Sequence, residues 1–271
     1  MSLFRADLHC HSTASDGTYS PEDLVRLAAE IGLNGLSITD HDTIDAYARA
    51  IPIAQQLNIP LLTGIEFSTV LLGKSVHLLG YGFQLDNPAI TALCIKHKKR
   101  RDERNLQILD NLKKLGLPVD LHHGESSIGR PHIAQAMVEK GYVASVQEAF
   151  KKYLAEGKPA YAKGEPITVQ ETIDTIHTAH GIAVIAHPHL IDEPYLTRNL
   201  QEFNFDGIEC FYAKFSSEQN RRWLDLAAKK DWLITGGSDF HGSIKPNIPL
   251  GASWIDKNNW ERILCRTMKP C

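Results

Sequence analysis

The sequence predicts an α/β fold in which helices cover a mainly parallel sheet. Short apolar runs alternate with amphipathic helical patterns along most of the 271 residues, and this alternation is typical of β–α units. Histidine or carboxylate residues stand where several of these runs end. The helices can lie in layers on an open sheet or surround a closed barrel, and the pattern alone does not choose between the two.

Seven short apolar runs are predicted to form the strands. In chain order they are residues 4–9, 34–40, 60–66, 75–82, 182–187, 206–211 and 232–239. Amphipathic helices are predicted between several of them. The first helix, 20–31, has Ser20 as a candidate N-cap and Pro21 at its first helical position. Three further segments have the apolar spacing of a helix: 43–57, 169–180 and 217–230.

Residues 88–164 interrupt this alternation. They contain a long charged helical pattern, a loop and two shorter helical segments, 131–140 and 145–154, with no good strand pattern among them. We therefore predict two domains. Residues 1–87 and 165–271 form the domain that contains the sheet, and residues 88–164 form a helical insertion.

A basic run from Lys96 to Arg104 lies inside the long charged helix of this insertion. We expect the run to be a solvated helix face, because Asp102 and Glu103 offset part of its charge. Contact with nucleic acid is the alternative interpretation.

The composition excludes several classes of protein. A formal net charge of -3 gives no general attraction to nucleic acid or membranes, so an anionic ligand needs a local site. The five cysteines form no CxxC pair, which is typical of free thiols in a reducing compartment. No run reaches the roughly 18 apolar residues that suggest a membrane span, and the amino terminus has no apolar signal segment. We expect a cytoplasmic protein without membrane contact, and no obligate protein partner is evident.

Six of the seven predicted strands carry histidine or carboxylate residues, most of them at the strand end. Because the carboxyl ends of parallel strands converge on one face, these side chains are expected to cluster. Individually, His77 can be a core histidine, Asp40 a cap for the helix at 43–57, and Glu66 a loop carboxylate. Together, without cations, they would leave buried charges unpaired. The candidates are His9, His11, Asp40, His41, Glu66, His77, His187, Asp239 and His241.

The stretch DLHCHSTASDGT, residues 7–18, has the pattern of a metal site. His9 and His11 point to the same side of an extended segment, whereas Cys10 points to the other side. Asp16 adds a carboxylate from the loop that follows. Imidazoles with carboxylates favour Mn, Fe or Zn over a thiolate-rich structural zinc site. Two or more such cations activate water and neutralise a phosphoryl group, so hydrolysis of phosphoesters is expected.

The full set of motifs resembles the polymerase and histidinol phosphatase (PHP) family, and it spans nearly the whole chain. The matching motifs are DLHCHSTASDG, ITDHDT, GIEFS, VHLLGY, IAHP and GSDFHG. The resemblance implies a distorted seven-stranded (β/α)7 barrel that holds three divalent metals. Manganese is the first expectation, with iron, zinc or magnesium as alternatives.

The family template also implies how the ligands are shared among the three metals. Asp40 would orient ligands on this template, although its interpretation as a helix cap stays open. The implied sets are His9, His11, Glu66 and Asp239 for one metal; Glu66, His77 and His187 for a second; and Asp16, His41 and His241 for a third.

Within the family, the insertion and the stretch GRPHIAQAMV resemble a bacterial subgroup that removes the 3′-phosphate from nucleoside 3′,5′-bisphosphates. Some of its members are also 5′→3′ exoribonucleases. The resemblance implies that Arg130 holds the phosphate that is not cleaved, since a guanidinium binds phosphate through paired donors. A structural salt bridge or an exposed arginine is the alternative. His132 either binds phosphate or caps the helix that opens at Pro131. The expected partner is a nucleotide or a short 5′-phosphorylated RNA.

Two other functions remain open at this point. One is a phosphatase for a small metabolite such as histidinol phosphate, against which Arg130 and the insertion speak. The other is a non-catalytic metal-binding module, against which the complete set of nine ligand positions speaks. Residues 210–219 lack a histidine that relatives often have, which puts a substrate contact there in doubt. His189 is expected to be an exposed loop residue.

Overall fold

The computed structural model describes residues 3–120, 128–191, 193–213 and 215–267. The chain forms two compact units. The first unit contains the residues up to Cys94 and those from Ile167 onward, and the second contains Ile95–Pro166. The division falls within one long helix, α3 (Pro88–Lys114).

The first unit contains seven strands among its described residues, and all seven overlap the predicted runs. They form a two-stranded sheet, β1–β2, and a five-stranded sheet in the order β3-β4-β5-β6-β7. The strands are β1 (Ala6–Asp7), β2 (Gly35–Leu36), β3 (Gly64–Leu71), β4 (Lys74–Tyr81), β5 (Ile182–Ile185), β6 (Gly207–Tyr212) and β7 (Leu233–Gly237).

The five-stranded sheet is not entirely parallel, as it would be if strands and helices alternated regularly. β4 is antiparallel to both β3 and β5, whereas β5, β6 and β7 are parallel. Only Leu72 and Gly73 connect β3 to β4, and both have positive φ, at 49° and 83°. Two such residues form a hairpin turn, and a parallel crossover needs a far longer connection. The predicted closed seven-stranded barrel is not confirmed, because the described strands form two small sheets.

Six helices of the first unit surround these sheets in the described part of the chain. Ser20 caps α1 as predicted, since its hydroxyl accepts a hydrogen bond from the Asp23 N–H at 3.1 Å. Helix α2 begins four residues later than position 43. None of the helices in the described ranges is long and apolar enough to cross a membrane. The six are α1 (Pro21–Glu30), α2 (Tyr47–Leu57), α6 (Val169–Thr178), α7 (Pro194–Leu200), α8 (Ser217–Lys230) and α9 (Lys257–Thr267).

The core of the first unit fixes the ends of the central strands. Every residue of β5 is buried, as expected for a strand that is covered on both faces. Ile173 and Ile176 of α6 pack in the same apolar cluster as Phe67 and Ile185. The residues that follow β5 and β7 therefore extend from a packed core. Packing of the strands holds the side chains beyond their ends in defined positions.

The second unit is helical in its described residues. Its elements are the later part of α3, α4 (Arg130–Glu139) and α5 (Val146–Ala149), which continues into a short π-helix. Ile108, Ile133 and Met137 are fully buried in its own apolar cluster. This unit thus has its own core.

The basic run on α3 does not form one solvated face. Lys96, Lys98 and Lys99 are exposed, as expected. In contrast, Arg100, Arg101 and Arg104 are buried, together with His97, Asn105 and Ile108. The expectation is therefore wrong for the three arginines. Their spacing of three and four residues from the other buried positions places them on the buried helix face.

Candidate metal centre

Glu66 lies at the centre of the predicted ligands. It is the third residue of β3 rather than the end of a strand, and its side chain is 1% exposed. Five imidazoles contact its two carboxylate oxygens. The nitrogen–oxygen distances are 2.7 Å for His77 Nδ1, 2.8 Å for His187 Nε2, 3.1 Å for His11 Nε2, and 3.3 Å for both His9 Nε2 and His41 Nδ1.

Two more carboxylates extend this cluster on either side. Asp239 Oδ1 lies 3.3 Å from His11 Nε2 and 3.5 Å from His9 Nε2. Asp16 Oδ1 lies 3.4 Å from His241 Nε2, and Asp16 Oδ2 lies 3.8 Å from His41 Nε2. The structure thus brings all nine predicted ligand positions into one connected cluster.

Three groups of ligand atoms within this cluster are compact enough to surround one cation each. In each group, all ligand atoms lie within 4.8 Å of one another. The first group equals a set that the resemblance implies. The third group shares Glu66 and His77 with the second implied set, but it contains His41 in place of His187. His187 also contacts Glu66. The groups are His9, His11, Glu66 and Asp239; His11, Asp16, His41 and His241; and His41, Glu66 and His77.

A hydrogen bond at one ring nitrogen of His9 directs the other ring nitrogen at the cluster. His9 Nδ1 lies 2.8 Å from Glu209 Oε1, a carboxylate that can only accept, so Nδ1 carries the proton. Nε2 faces the Glu66 carboxylate at 3.3 Å. Burial alone would lower the pKa of His9, but the carboxylates of Glu209, Glu66 and Asp239 raise it well above 6.5, so Nε2 holds a second proton when no cation is bound. Two acceptors in contact repel unless a positive charge lies between them.

His241 shows the same arrangement independently. Its Nδ1 lies 2.9 Å from the backbone carbonyl of Asp239, so Nδ1 donates to that oxygen. Nε2 of the neutral ring then faces Asp16 Oδ1 at 3.4 Å. Nε2 thus faces a carboxylate at two separate places, and a cation bound there would find the Nε2 lone pair of each neutral ring directed at it.

The pKa values of two neighbouring imidazoles in the cluster are shifted in opposite directions. Burial by itself would lower the pKa of His11, but hydrogen bonds with Asp239 and Glu66 raise that pKa to about 9. Burial lowers the pKa of His41 to about 3, although its ring centroid is 4.5 Å from that of His11. Protons alone thus do not neutralise the whole cluster near pH 7, since His41 stays a lone-pair donor there.

Asp40 supports the loop that carries two ligands. Its carboxylate accepts hydrogen bonds from Ser12 N at 2.7 Å, from Ser12 Oγ at 2.6 Å and from Ser15 Oγ at 2.6 Å. Those serines lie between His11 and Asp16, so Asp40 fixes the path of this loop. The helix-cap alternative is wrong, because α2 begins at Tyr47 and has no side-chain cap.

Sequence reasoning missed Glu209, which is completely buried in β6. One oxygen holds His9, and the other accepts a hydrogen bond from the His187 N–H at 2.7 Å. That bond holds His187 at a φ of 22°, a left-handed conformation that costs about 1–3 kcal/mol for such a residue. A lone carboxylate in the apolar run GIECFY was the signal that could have identified it.

Sequence reasoning also missed the partners of the outer oxygen of Asp239. Tyr212 donates its hydroxyl to Asp239 Oδ2 at 2.8 Å, and Lys245 Nζ contacts the same oxygen at 2.6 Å. Oδ1 of Asp239 is the oxygen that faces the histidines. Tyr212 belongs to the segment where a histidine is absent, and its position here follows from β6 lying beside β7.

His189 is not the exposed loop residue that the sequence suggests. It is half-buried, and its ring packs on Tyr212 and Phe215 with centroid separations of 4.5 Å and 4.0 Å. The hydrogen bond from Phe215 N to Tyr212 O at 3.0 Å turns the chain back toward this ring.

Arg130 and His132 lie in the second unit, at the start of α4. The guanidinium carbon of Arg130 lies 5.7 Å from the ring centroid of Tyr161 and 5.9 Å from that of Phe150. Burial, together with nearby Arg101, lowers the pKa of Arg130, and no carboxylate ion pair of Arg130 occurs among the described residues. His132 Nδ1 accepts a hydrogen bond from Gly129 N at 3.0 Å, so His132 caps this helix.

The chain is similar to several proteins of known name over nearly its whole length. It is 38% identical to the 5′-3′ exoribonuclease of Haemophilus influenzae, covering 92% of this chain and 92% of that protein. It is 30% identical to the phosphoribosyl 1,2-cyclic phosphate 1,2-diphosphodiesterase of Eggerthella lenta, covering 87% and 94%. It is 29% identical to the 3′,5′-nucleoside bisphosphate phosphatase of Chromobacterium violaceum, covering 97% and 98%.

The fold has a close counterpart among solved structures. A candidate metal-dependent phosphoesterase of Bifidobacterium adolescentis superimposes with a TM-score of 0.88 at 30% identity, over 97% of this chain and 96% of that chain. Residues 7–156 match the PHP domain, and this range contains six of the nine clustered residues. On these findings, this chain belongs to the PHP family.

Proposed function

We propose that this protein is a metal-dependent phosphoesterase that removes the 3′-phosphate from nucleoside 3′,5′-bisphosphates. Short RNA with a 5′-phosphate is proposed as a second substrate, degraded from the 5′ end. The observation that carries the metal dependence is the set of imidazole nitrogens that face the buried carboxylates of Glu66 and Asp16. The names of the relatives support phosphoester hydrolysis and include both proposed reactions.

The proposed ligands would hold up to three divalent cations, with manganese as the first expectation. When bound, such cations supply Lewis acidity for phosphoryl oxygens and a reactive nucleophile from water at neutral pH. Oxygen and imidazole ligands without thiolate fit manganese, iron or zinc. The proposed ligands are His9, His11, Asp16, His41, Glu66, His77, His187, Asp239 and His241.

The surrounding residues keep these ligands in their binding geometry. Glu209 fixes the tautomer of His9, so that Nε2 faces the cluster. Tyr212 and Lys245 hold the outer oxygen of Asp239, which leaves the inner oxygen for a cation.

Arg130 is proposed to bind the phosphate that is not cleaved, with His132 setting the start of the same helix. The guanidinium of Arg130 lies beside the aromatic rings of Phe150 and Tyr161 and forms no ion pair within 4.0 Å among the described residues. If Arg130 anchors a 5′-phosphate, the scissile phosphorus is the one on the 3′-oxygen. In a bisphosphate this is the terminal 3′-phosphate, and in RNA it is the first internucleotide linkage. One arrangement thus accounts for both proposed substrates.

A hydrolysis screen with Mn²⁺ tests this function, with inorganic phosphate measured for the small phosphates and released mononucleotides measured for RNA. The substrates are nucleoside 3′,5′-bisphosphates, 5′-phosphorylated and 5′-hydroxyl oligoribonucleotides, and histidinol phosphate. We expect release from the bisphosphates and a requirement for the 5′-phosphate on RNA. Preference for histidinol phosphate, or no hydrolysis of any substrate by the metal-loaded protein, would refute the proposal.

The Arg130→Ala variant tests how the substrate is held. The variant should have a lower kcat/KM for a bisphosphate, and the loss should correspond to about 2–4 kcal/mol of transition-state stabilisation. The reason is that a charged phosphate loses its partner. A monophosphate without the second phosphate should lose far less. Arg26→Ala, which removes an exposed arginine of α1, is the matched control. Equal losses on both substrates would show that Arg130 does not bind the second phosphate.

A further inference from the structure

Three aromatic side chains of the first unit pack together beside the metal centre. His189 lies 4.0 Å from Phe215 and 4.5 Å from Tyr212, and Tyr212 lies 5.4 Å from Phe215, measured between ring centroids. We call these three residues the aromatic cluster. The ring planes of His189 and Phe215 meet at 82°, an edge-to-face contact.

The aromatic cluster is joined to the proposed metal ligands by short contacts. The ring centroid of His189 is 6.3 Å from that of His187. The hydroxyl of Tyr212 donates to Asp239 Oδ2 at 2.8 Å. The rings therefore lie within the length of one nucleotide from the site where a phosphoryl group would bind.

The metal ligands alone do not account for this cluster. The Tyr212 hydroxyl supports Asp239, but His189 and Phe215 make no hydrogen bond or ion pair with a proposed ligand in the described part of the chain. His189 Nδ1 is buried without a hydrogen-bond partner among the described residues. His189 and Phe215 are also only partly buried, so their rings remain partly accessible.

We propose that the aromatic cluster binds the nucleobase of the substrate and thereby selects nucleotides over sugar or alkyl phosphates. This inference rests on the proposed function and specifies its substrate class. Aromatic side chains stack on any base because every base has a flat π face, which gives affinity without reading sequence.

Adenosine 3′,5′-bisphosphate and ribose 3,5-bisphosphate test this proposal, because they share both phosphates and differ in the base. His189→Ala and Phe215→Leu should each lower kcat/KM for the adenosine compound by roughly tenfold to a hundredfold. The loss on the ribose compound should be at least several times smaller. Tyr195→Ala removes an aromatic ring that is 37% exposed on α7, and should change neither substrate.

The Tyr212→Phe variant separates the ring from its hydroxyl. It keeps the stacking surface and removes the bond to Asp239, so any loss should be equal on the two substrates. Equal losses on both substrates for His189→Ala and Phe215→Leu would overturn the proposal, because the rings would then only support the metal centre. Unchanged values for both variants would also overturn it.

Calorimetric binding of the two products keeps this test independent of catalysis. Adenosine 5′-monophosphate should bind the metal-loaded wild type more tightly than ribose 5-phosphate, and His189→Ala should remove most of that difference. If the wild type hydrolyses no bisphosphate yet keeps this binding difference, the proposed function fails and the nucleobase site stands. If the wild type hydrolyses the bisphosphate but binds the two products equally well, only the nucleobase proposal fails.

Discussion

Two places in the described part of the first unit, at each of which histidine contacts carboxylate, are built differently. Where β6 begins, His177 Nε2 lies 2.7 Å from Asp206 Oδ2, and the Ala183 N–H donates to that oxygen at 2.9 Å. Around Glu66, beyond the ends of β1 and β5, five imidazoles contact one carboxylate. Asp206 thus receives one imidazole and one backbone donor, whereas five imidazoles crowd around Glu66.

The difference separates a structural contact from a binding site. A carboxylate that accepts a backbone N–H and an imidazole N–H is satisfied by the protein alone. At the metal centre, Nδ1 of His9 and Nδ1 of His241 are already committed to Glu209 and to a backbone carbonyl, so Nε2 is the nitrogen of each ring that faces the ligand carboxylates. Buried charges that lack partners cost several kcal/mol each, which is why the two places should respond differently to metal and to pH.

The largest effect is expected for Glu66→Gln. The amide removes the negative charge that five imidazoles share, so bound metal should be lost and phosphate release should fall by more than about 100-fold. Metal analysis and activity measurements on the folded variant check this. Glu261→Gln, at an exposed glutamate of α9, is the control. Full metal content in Glu66→Gln would show that Glu66 is not a ligand.

Metal should stabilise the cluster around Glu66 more than any other part of the chain. Adding Mn²⁺ at about 100 times its dissociation constant should raise the free energy of unfolding by about 2.7 kcal/mol. Chelation should reverse the shift in Tm, and calorimetry with and without metal measures it. The His177→Gln variant should show the same metal-induced rise in Tm as the wild type, because His177 contacts Asp206 and is not a proposed metal ligand. An equal Tm with and without verified metal would contradict the cation requirement.

Removing the support of a ligand should have a smaller effect than removing the ligand. Glu209→Gln keeps the shape of the side chain but loses the charge that orients His9, so metal affinity or activity should fall by about 10- to 100-fold. Metal titration of the chelated protein measures this. If affinity and activity equal those of the wild type, the contact with His9 has no role in metal binding.

The smallest effect is expected at His177. Its hydrogen bond with Asp206 raises its pKa above the ordinary value of 6.5. The stabilisation is therefore full below pH 6.5 and is lost as pH rises through the higher pKa of the folded protein. Since the pair is partly exposed, His177→Gln should cost less than about 1 kcal/mol, more at pH 5.5 than at pH 8.5. Urea unfolding of both proteins at each pH tests this, and a cost that grows with pH would contradict it.

The sequence by itself determined the positions of the strands and the residue types of the candidate site. Strong apolar runs locate strands because burial selects them, and Ser20 with Pro21 gives a local helix start. The nine clustered residues were identified because several imidazoles and carboxylates recur at strand ends in one short list of motifs. These features depend on residues that are close in the sequence, so they can be recognised without knowledge of the tertiary structure.

Only the tertiary structure decided which side chains support the site and which charged residues are buried. The β3–β4 hairpin reverses the expected direction of β4, and three arginines of α3 are buried although the sequence suggests a solvated face. Glu209 and Tyr212 reach His9 and Asp239 only because β6 pairs with β7, whose end lies beside β1. Such contacts join residues more than 25 positions apart. Strand pairing sets them, and local sequence preference does not.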